Sequence, residues 1–276
     1  MPTERRAGHD IYHRTLGQGP RQALLLHCSL AHGGAWRGLA GFLEDDFTFT
    51  AFDHLDHGRS DAWNREGDYH GVSTEVGKSF LQQEPIDLVG HSFGATVALR
   101  MAVECPEKVR SLVLIEPVFF AVAIRDDPAR ADEHRQEMED MRALLEAGER
   151  EAAAKAFLAE WGGGGLPWEQ LPQEARADMA AKIHIILDAE PQLYGDKAGL
   201  LDAGRLEGLT MPVLLVRGAD SPASIAAINA GLARRIPGAQ SVSVAGAGHM
   251  APITHSKACA DELRRFWGLQ GPGSEP

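Results

Sequence analysis

The chain is poor in cysteine, with three in 276 residues, Cys28, Cys105 and Cys259. Their odd number and wide spacing exclude a disulfide framework and leave no Cys-x-x-Cys pair for a metal. Long apolar runs are absent too. No stretch approaches the roughly 20 residues of a membrane-spanning helix, so no membrane insertion is expected. The Met-Pro-Thr-Glu-Arg-Arg start has no apolar segment behind its charges, so no signal peptide is read and the reducing cytoplasm is the expected compartment. Positive charge is in deficit, 27 Lys and Arg against 39 Asp and Glu, for a formal net charge of −12. That balance argues against a nucleic-acid partner or an anionic membrane surface. No phosphate-cradling glycine motif follows the early strands, so no nucleotide cofactor is expected. There is no internal repeat, and the Gly-Pro-Gly-Ser-Glu-Pro tail is expected to be disordered.

What is present is the composition of an ordinary globular protein, 44% hydrophobic and 24% charged, long enough to bury a core without staples. Short runs rich in Val, Leu and Ile, ending in glycine or a polar residue, read as buried strands: Ala23–His27, Phe47–Asp53, Ile86–Gly90, Val109–Ile115, Val213–Arg217 and Ser241–Ala245. Segments of helical spacing lie between most of them, including Phe93–Val103, halted by Pro106, and Ser224–Arg235, halted by Pro237. Strands alternating with helices predict an α/β fold, a mostly parallel, doubly wound sheet covered on both faces. In such a sheet the chemistry gathers at the carboxyl ends of the strands.

The alternation breaks between about Pro117 and Gly204. This stretch is charge-rich and helical in pattern. Ala129–Ala147 sets Met138, Met141, Leu144 and Leu145 on one side, the glycine run 162–165 is a hinge or loose connection, and Pro172–Ala189 reads as one helix. The expected division is a core of residues 1–117 and 205–276 with a helical cap, or lid, at 118–204; a second helical domain with no role in catalysis is the alternative. Of the aromatics Phe119, Phe120, Trp161, Trp168 and Tyr194, Trp161 and Trp168 are taken as pocket residues; packing inside the lid is the competing role.

The strand Ile86–Val89 runs directly into Gly90-His91-Ser92-Phe93-Gly94 and then a helix. This is the Gly-x-Ser-x-Gly pattern in a strand–turn–helix setting, where a sharp bend presents the serine hydroxyl and side chains two residues either side would collide. Ser92 is therefore the candidate nucleophile, and it needs a base. Among twelve histidines, His249 follows the last strand in the small-residue turn Gly246-Ala247-Gly248-His249, and parallel topology brings it to the edge that carries Ser92.

Further segments carry a likeness. His27-Cys28-Ser29 is followed by Trp36, and Phe52-Asp53-His54-Leu55-Asp56-His57-Gly58-Arg59-Ser60-Asp61 forms a loop after the next strand. With Gly90–Gly94 and Gly248-His249, these resemble the α/β-hydrolase fold family from about Ala23 to Trp267. The resemblance implies that the helical lid is inserted after the sixth strand of that fold. It also implies an oxyanion hole from the backbone N–H groups of Ser29 and Phe93, with Leu30 as fallback for the first. Cys28 and Asp56 stand where the family usually has glycine, which puts standard geometry of the oxyanion loop in doubt. The acid has two candidates: Glu116, directly after the strand Val109–Ile115, and Asp220, one position short of the usual place, which Ser221 occupies.

The implied activity is hydrolysis of a carboxylic ester, or a related carbonyl substrate, through an acyl-enzyme with a Ser-His-acid triad and a small-molecule substrate. Alternatives on the same fold are carbon–carbon bond hydrolysis of diketone-like substrates and a hydrolase-like ligand-binding receptor. His91 and His57 are candidates to border the pocket, and His32 with Gly33-Gly34 to shape its mouth. His54-Leu55-Asp56-His57 resembles the tail of a metallo-β-lactamase-type run, but Phe52 fills the slot of its leading histidine, so no metal site is expected.

Overall fold

A computed structural model describes residues 3–163 and 165–269. Gly164 of the glycine run and the tail 271–276 lie outside them. Eight strands, β1 (Thr3–Arg6), β2 (His9–Leu16), β3 (Arg21–Leu26), β4 (Phe47–Phe52), β5 (Ile86–His91), β6 (Val109–Ile115), β7 (Val213–Gly218) and β8 (Gln240–Val244), form one sheet in the order β1-β2-β4-β3-β5-β6-β7-β8. From β4 across to β8 every pairing is parallel; β1 with β2 and β2 with β4 are antiparallel.

The central strands are apolar throughout because both sheet faces are covered, and successive side chains go to opposite faces. Leu24, Leu26, Leu88, Leu112, Leu114 and Leu215 enter one core cluster. Leu25, Val89, Val113, Ile115, Leu214 and Val216 enter the other. Between strands run α1 (Arg37–Gly41), α2 (Tyr69–Lys78) and α3 (Phe93–Glu104), and between β6 and β7 α4 (Phe120–Asp126), α5 (Arg130–Glu146), α6 (Arg150–Trp161), α7 (Gln173–Lys182) and α8 (Ile185–Leu193). Then come α9 (Ala223–Arg235), α10 (Ala251–Thr254) and α11 (Ser256–Trp267). Helices α2, α3 and α9 supply the first cluster, and α1 and α11 the second. Among the described residues no helix is long and apolar enough to cross a membrane.

Sequence pattern misses the edge hairpin β1–β2. Thr3–Arg6 is largely exposed, and β2 buries only Ile11, Tyr12 and Arg14, so charged residues break the apolar run that marks the central strands. Its signal is the Ala7-Gly8 turn, where both residues have positive φ (47° and 86°), as a tight primed hairpin turn requires.

The stretch Pro172–Ala189 is not one helix. It is broken at Ile183 and His184 into α7 and α8. Met179 and Ala180 of α7 pack on a separate cluster made by Met141, Ala153, Ala154, Trp168 and Ile183, whereas Ile185, Ala189 and Leu193 of α8 pack on the main core. The break lets one segment bury side chains in two places that a straight helix would not face together.

Burial leaves several histidines neutral. Desolvation is the first cause that drives His27, His57, His70 and His91 down from 6.5 to about 3. The unfolded chain would take up protons near 6.5 that the folded chain refuses, so this contribution to stability is complete above that value and is lost as pH falls from it toward 3. The melting temperature should therefore drop between about pH 7.5 and pH 5, a window in which ordinary carboxylates stay largely ionised. A flat profile would show that these rings accept protons in place.

Candidate active site

Ser92 sits between β5 and α3 with φ 55° and ψ −118°, a costly conformation for a residue with a side chain. Its flanks make it possible. A Cβ on Gly90 would strike Ala95 and Gly94, and one on Gly94 would strike the backbone of Leu26 and His27. The Ser92 N–H continues the sheet ladder by donating to the Ile115 carbonyl at 2.9 Å. The bend aims Oγ at the histidine loop, where it lies 2.9 Å from His249 Nε2.

His249 lies 3.0 Å from Glu116 Oε2 through Nδ1. With that nitrogen donating to the carboxylate, Nε2 is left to accept from Ser92. Glu116 follows β6, has φ 53° and is fully buried. Its Oε1 accepts from the Gly218 N–H and, at 2.8 Å, from Ser221 Oγ, so two donors besides the imidazole orient it. Ser221, in the position where the likeness leads one to look for the acid, thus hydrogen-bonds to Glu116. The Asp220 side chain is exposed, and its backbone N–H donates to the Ala247 carbonyl at 2.9 Å, bracing the histidine loop.

The loop after β3 is held by the loop after β4. His27 donates from Nδ1 to the Cys28 carbonyl at 2.7 Å and accepts the His54 N–H at 3.0 Å. His57 donates from Nδ1 to the Leu55 carbonyl at 2.8 Å and accepts the Leu30 N–H at 3.0 Å. Each neutral ring bridges the two loops. The Leu30 N–H is thereby engaged, which removes it as a fallback oxyanion donor. Ser29 lines the cavity beside Ser92, and Phe93 is the first residue of α3, so its N–H has no partner within the helix. Cys28 is buried, and desolvation pushes its thiol up to about 12, leaving it no thiolate character at neutral pH. Asp56 has φ 64°, the left-handed region that explains glycine at this position. Its carboxylate reaches His184 of the α7–α8 break at 3.0 Å. Burial, the largest single influence, works against the Asp56 charge, but the hydrogen bonds from His184 and the Trp63 backbone, with the attraction to His184, together outweigh it and hold the pKa below its ordinary value.

Two cavities meet at Ser92, Ser29, Trp161 and His249, one of about 260 Å³ and one of about 230 Å³. Trp161 stands edge-on to the His249 ring at 4.9 Å and 72°. Phe120 and Tyr194, stacked at 4.5 Å, line the first cavity. Three pocket expectations are corrected. Trp168 belongs to the core of the inserted helices and lines neither cavity. His57 is a buried brace. His91 also lies behind the site, donating from Nε2 to the His249 carbonyl at 2.9 Å. His32 accepts the Gly34 N–H at 3.0 Å as the cap of a short turn. Sequence reading overlooked Phe157, which lines both cavities; its signal is the four-residue spacing from Trp161.

Residues 23–262 match the model described as the Alpha/beta hydrolase family. A pimeloyl-(acyl-carrier protein) methyl ester esterase from Chromobacterium violaceum is 29% identical over 256 residues, covering 90% of this chain and 94% of that protein. Lipase LipV from Mycobacterium tuberculosis is 33% identical over 112 residues, 39% of this chain; that match spans only 42% of the lipase. Among solved structures, Cfl2 from Burkholderia cenocepacia superposes with a TM-score of 0.73 at 22% identity, covering 94% of this chain and 92% of that one, a likeness of fold.

The His91 bond ties the residue before Ser92 to the backbone of His249. His91→Ala should slow labelling of Ser92 by a fluorophosphonate by about ten- to a hundredfold, the scale of a small misplacement of reacting groups. His91→Gln, which can place a donor near the same point, should recover most of the rate. Equal rates in all three proteins would show that the bond positions nothing.

Proposed function

The chain belongs to the alpha/beta hydrolase family, and we propose that it is a serine hydrolase that cleaves a carboxylic ester through an acyl-enzyme. The observation that carries this reading is the unbroken hydrogen-bonded line Ser92 Oγ–His249–Glu116, buried at the meeting point of two cavities. In this reading His249 Nε2 takes the Ser92 proton as Oγ attacks the carbonyl carbon, then gives it to the departing alcohol. Water then attacks the acyl carbon as His249 takes its proton, and that proton passes to Ser92 Oγ as the Oγ–carbon bond breaks and the carboxylic acid leaves. Glu116 fixes the tautomer and stabilises the imidazolium formed at each step.

The tetrahedral oxyanion is assigned to the N–H groups of Ser29 and Phe93, the latter at the positive end of α3. Each such donor contributes roughly 3 kcal/mol to the transition state. The helices between β6 and β7 act in this account as a cap at 118–204. They supply the distal walls of both cavities, and the Asp56–His184 contact anchors them to the core.

Glu116→Gln should lower kcat for p-nitrophenyl esters by about 10³- to 10⁴-fold, as loss of the orienting acid does in such triads. Asp220→Asn should stay within about threefold of the parent, because the backbone and not the carboxylate makes its structural contact. The reverse ranking would overturn the assignment of the acid. A diketone turned over in preference to every ester would replace ester cleavage by carbon–carbon bond hydrolysis. Failure of a fluorophosphonate to label the parent protein, with Ser92→Ala as control, would favour a receptor.

A further inference from the structure

The two cavities have different residues on their outer walls but share one rib. Along α6 and its C-cap Gly162, Ala156 and Glu160 line only the first cavity, Leu158 and Gly162 only the second, and Phe157 and Trp161 line both. At about 100° per residue, positions 157 and 161 share one helix face, with 156 and 160 to one side and 158 and 162 to the other. The helix therefore lies over Ser92 and His249 with its Phe157–Trp161 edge downward, splitting the space above the nucleophile.

The chambers differ in chemistry. The first has apolar walls from Phe120, Met138, Met141 and Leu193, and the exposed carboxylates Asp140 and Glu160 stand on its rim, with no lysine or arginine in its lining among the described residues. The second is walled by Leu158, Leu171, Met179 and Met250, and no aspartate, glutamate, lysine or arginine lines it among the described residues. Leu166 and Ile253, also in its lining, are among the most exposed large apolar side chains of the chain, at 57% and 40%. Each volume is below the range of about 300–1,000 Å³ for a site holding a whole drug-sized ligand. One chamber thus suits one arm of a molecule.

On the ester-hydrolase reading above, we propose that the substrate is an ester with an apolar arm on each side of its carbonyl and negative charge on neither. Phe157 and Trp161 are the residues that separate the arms. A carboxylate in the second chamber would be desolvated with no cation to pair it. Inside the first it would be desolvated among apolar walls, and at the rim it would meet the like charge of Asp140 and Glu160.

The test uses the full chain and its Trp161→Ala, Trp161→Phe and Phe157→Ala variants. Substrates are four neutral esters, combining a methyl or a medium aliphatic group on the acyl side with either on the alcohol side, a one-armed ester whose arm is branched, and the two-armed ester ending in a carboxylate. Fluorophosphonate labelling counts competent sites, and kcat/KM is compared as ratios between esters. The parent should favour the two-armed neutral ester by about tenfold or more over either one-armed ester, the scale of several buried methylenes. The terminal carboxylate should cost at least about tenfold. Trp161→Ala and Phe157→Ala should change the ratio between the two one-armed esters and admit a branched single arm that the parent rejects, whereas Trp161→Phe should keep the parent's pattern. Because Phe157→Ala leaves the ring over His249 in place, it reads the partition even if Trp161→Ala fails to fold. Ratios that are the same in every labelled protein, or a carboxylate ester used as well as the neutral one, would overturn the proposal. Absence of labelling and of any ester turnover in the parent would instead sink the hydrolase reading beneath it.

Discussion

The hydrogen bond between Ser92 Oγ and His249 Nε2 joins residues 157 positions apart, and much of the molecule serves to hold its two ends. One end is fixed by the sheet. Ser92 is still bonded to the β6 backbone while its φ is already 55°, so backbone geometry aims its Cα–Cβ bond and one torsion is left to set the hydroxyl. The other end stands on a loop of small residues, and a single rotatable ring must be held from several directions. Glu116 holds its Nδ1, His91 holds its carbonyl, Trp161 packs against its ring, and the Asp220 backbone holds Ala247.

A second layer of order comes from buried histidines apart from the Ser92–His249 pair. His27 and His57 are neutral, buried donor–acceptor pairs that join the β3 and β4 loops. An imidazole suits this place because one nitrogen donates while the other accepts, which satisfies a carbonyl and an N–H that would otherwise be buried alone. The strand-end loop that carries Ser29 is in this way stiffened from behind. Cys28 and Asp56, in positions where glycine is usual for the family, are accommodated in that frame. Cys28 contributes an accepting carbonyl, and Asp56 keeps the left-handed backbone and turns its carboxylate outward to His184.

The inserted helices face two environments. Ile185, Ala189 and Leu193 are part of the main core, while Trp168 and Ile183 close a core of their own. Helix α6 lies between them and over the site, so its side chains are divided among packing, the two chambers and the ring of His249.

Sequence alone determined the elements whose signal is local. The buried parallel strands were legible because both faces of the sheet are covered and their apolar runs are uninterrupted. The Ser92 bend was legible because its steric demand writes glycine at 90 and 94, and His249 stood out from the glycines before it. Tertiary structure decided what depends on residues distant in sequence. Glu116 and Asp220 both stand after strands, and only the packing of β6 against β7 brings one carboxyl group to the imidazole and leaves the other in solvent. His57, His91 and Trp168 have the composition of pocket residues, yet the direction of each side chain depends on loops and helices far along the chain. Local spacing specifies an element and its faces; which neighbour each face meets follows from how the elements pack.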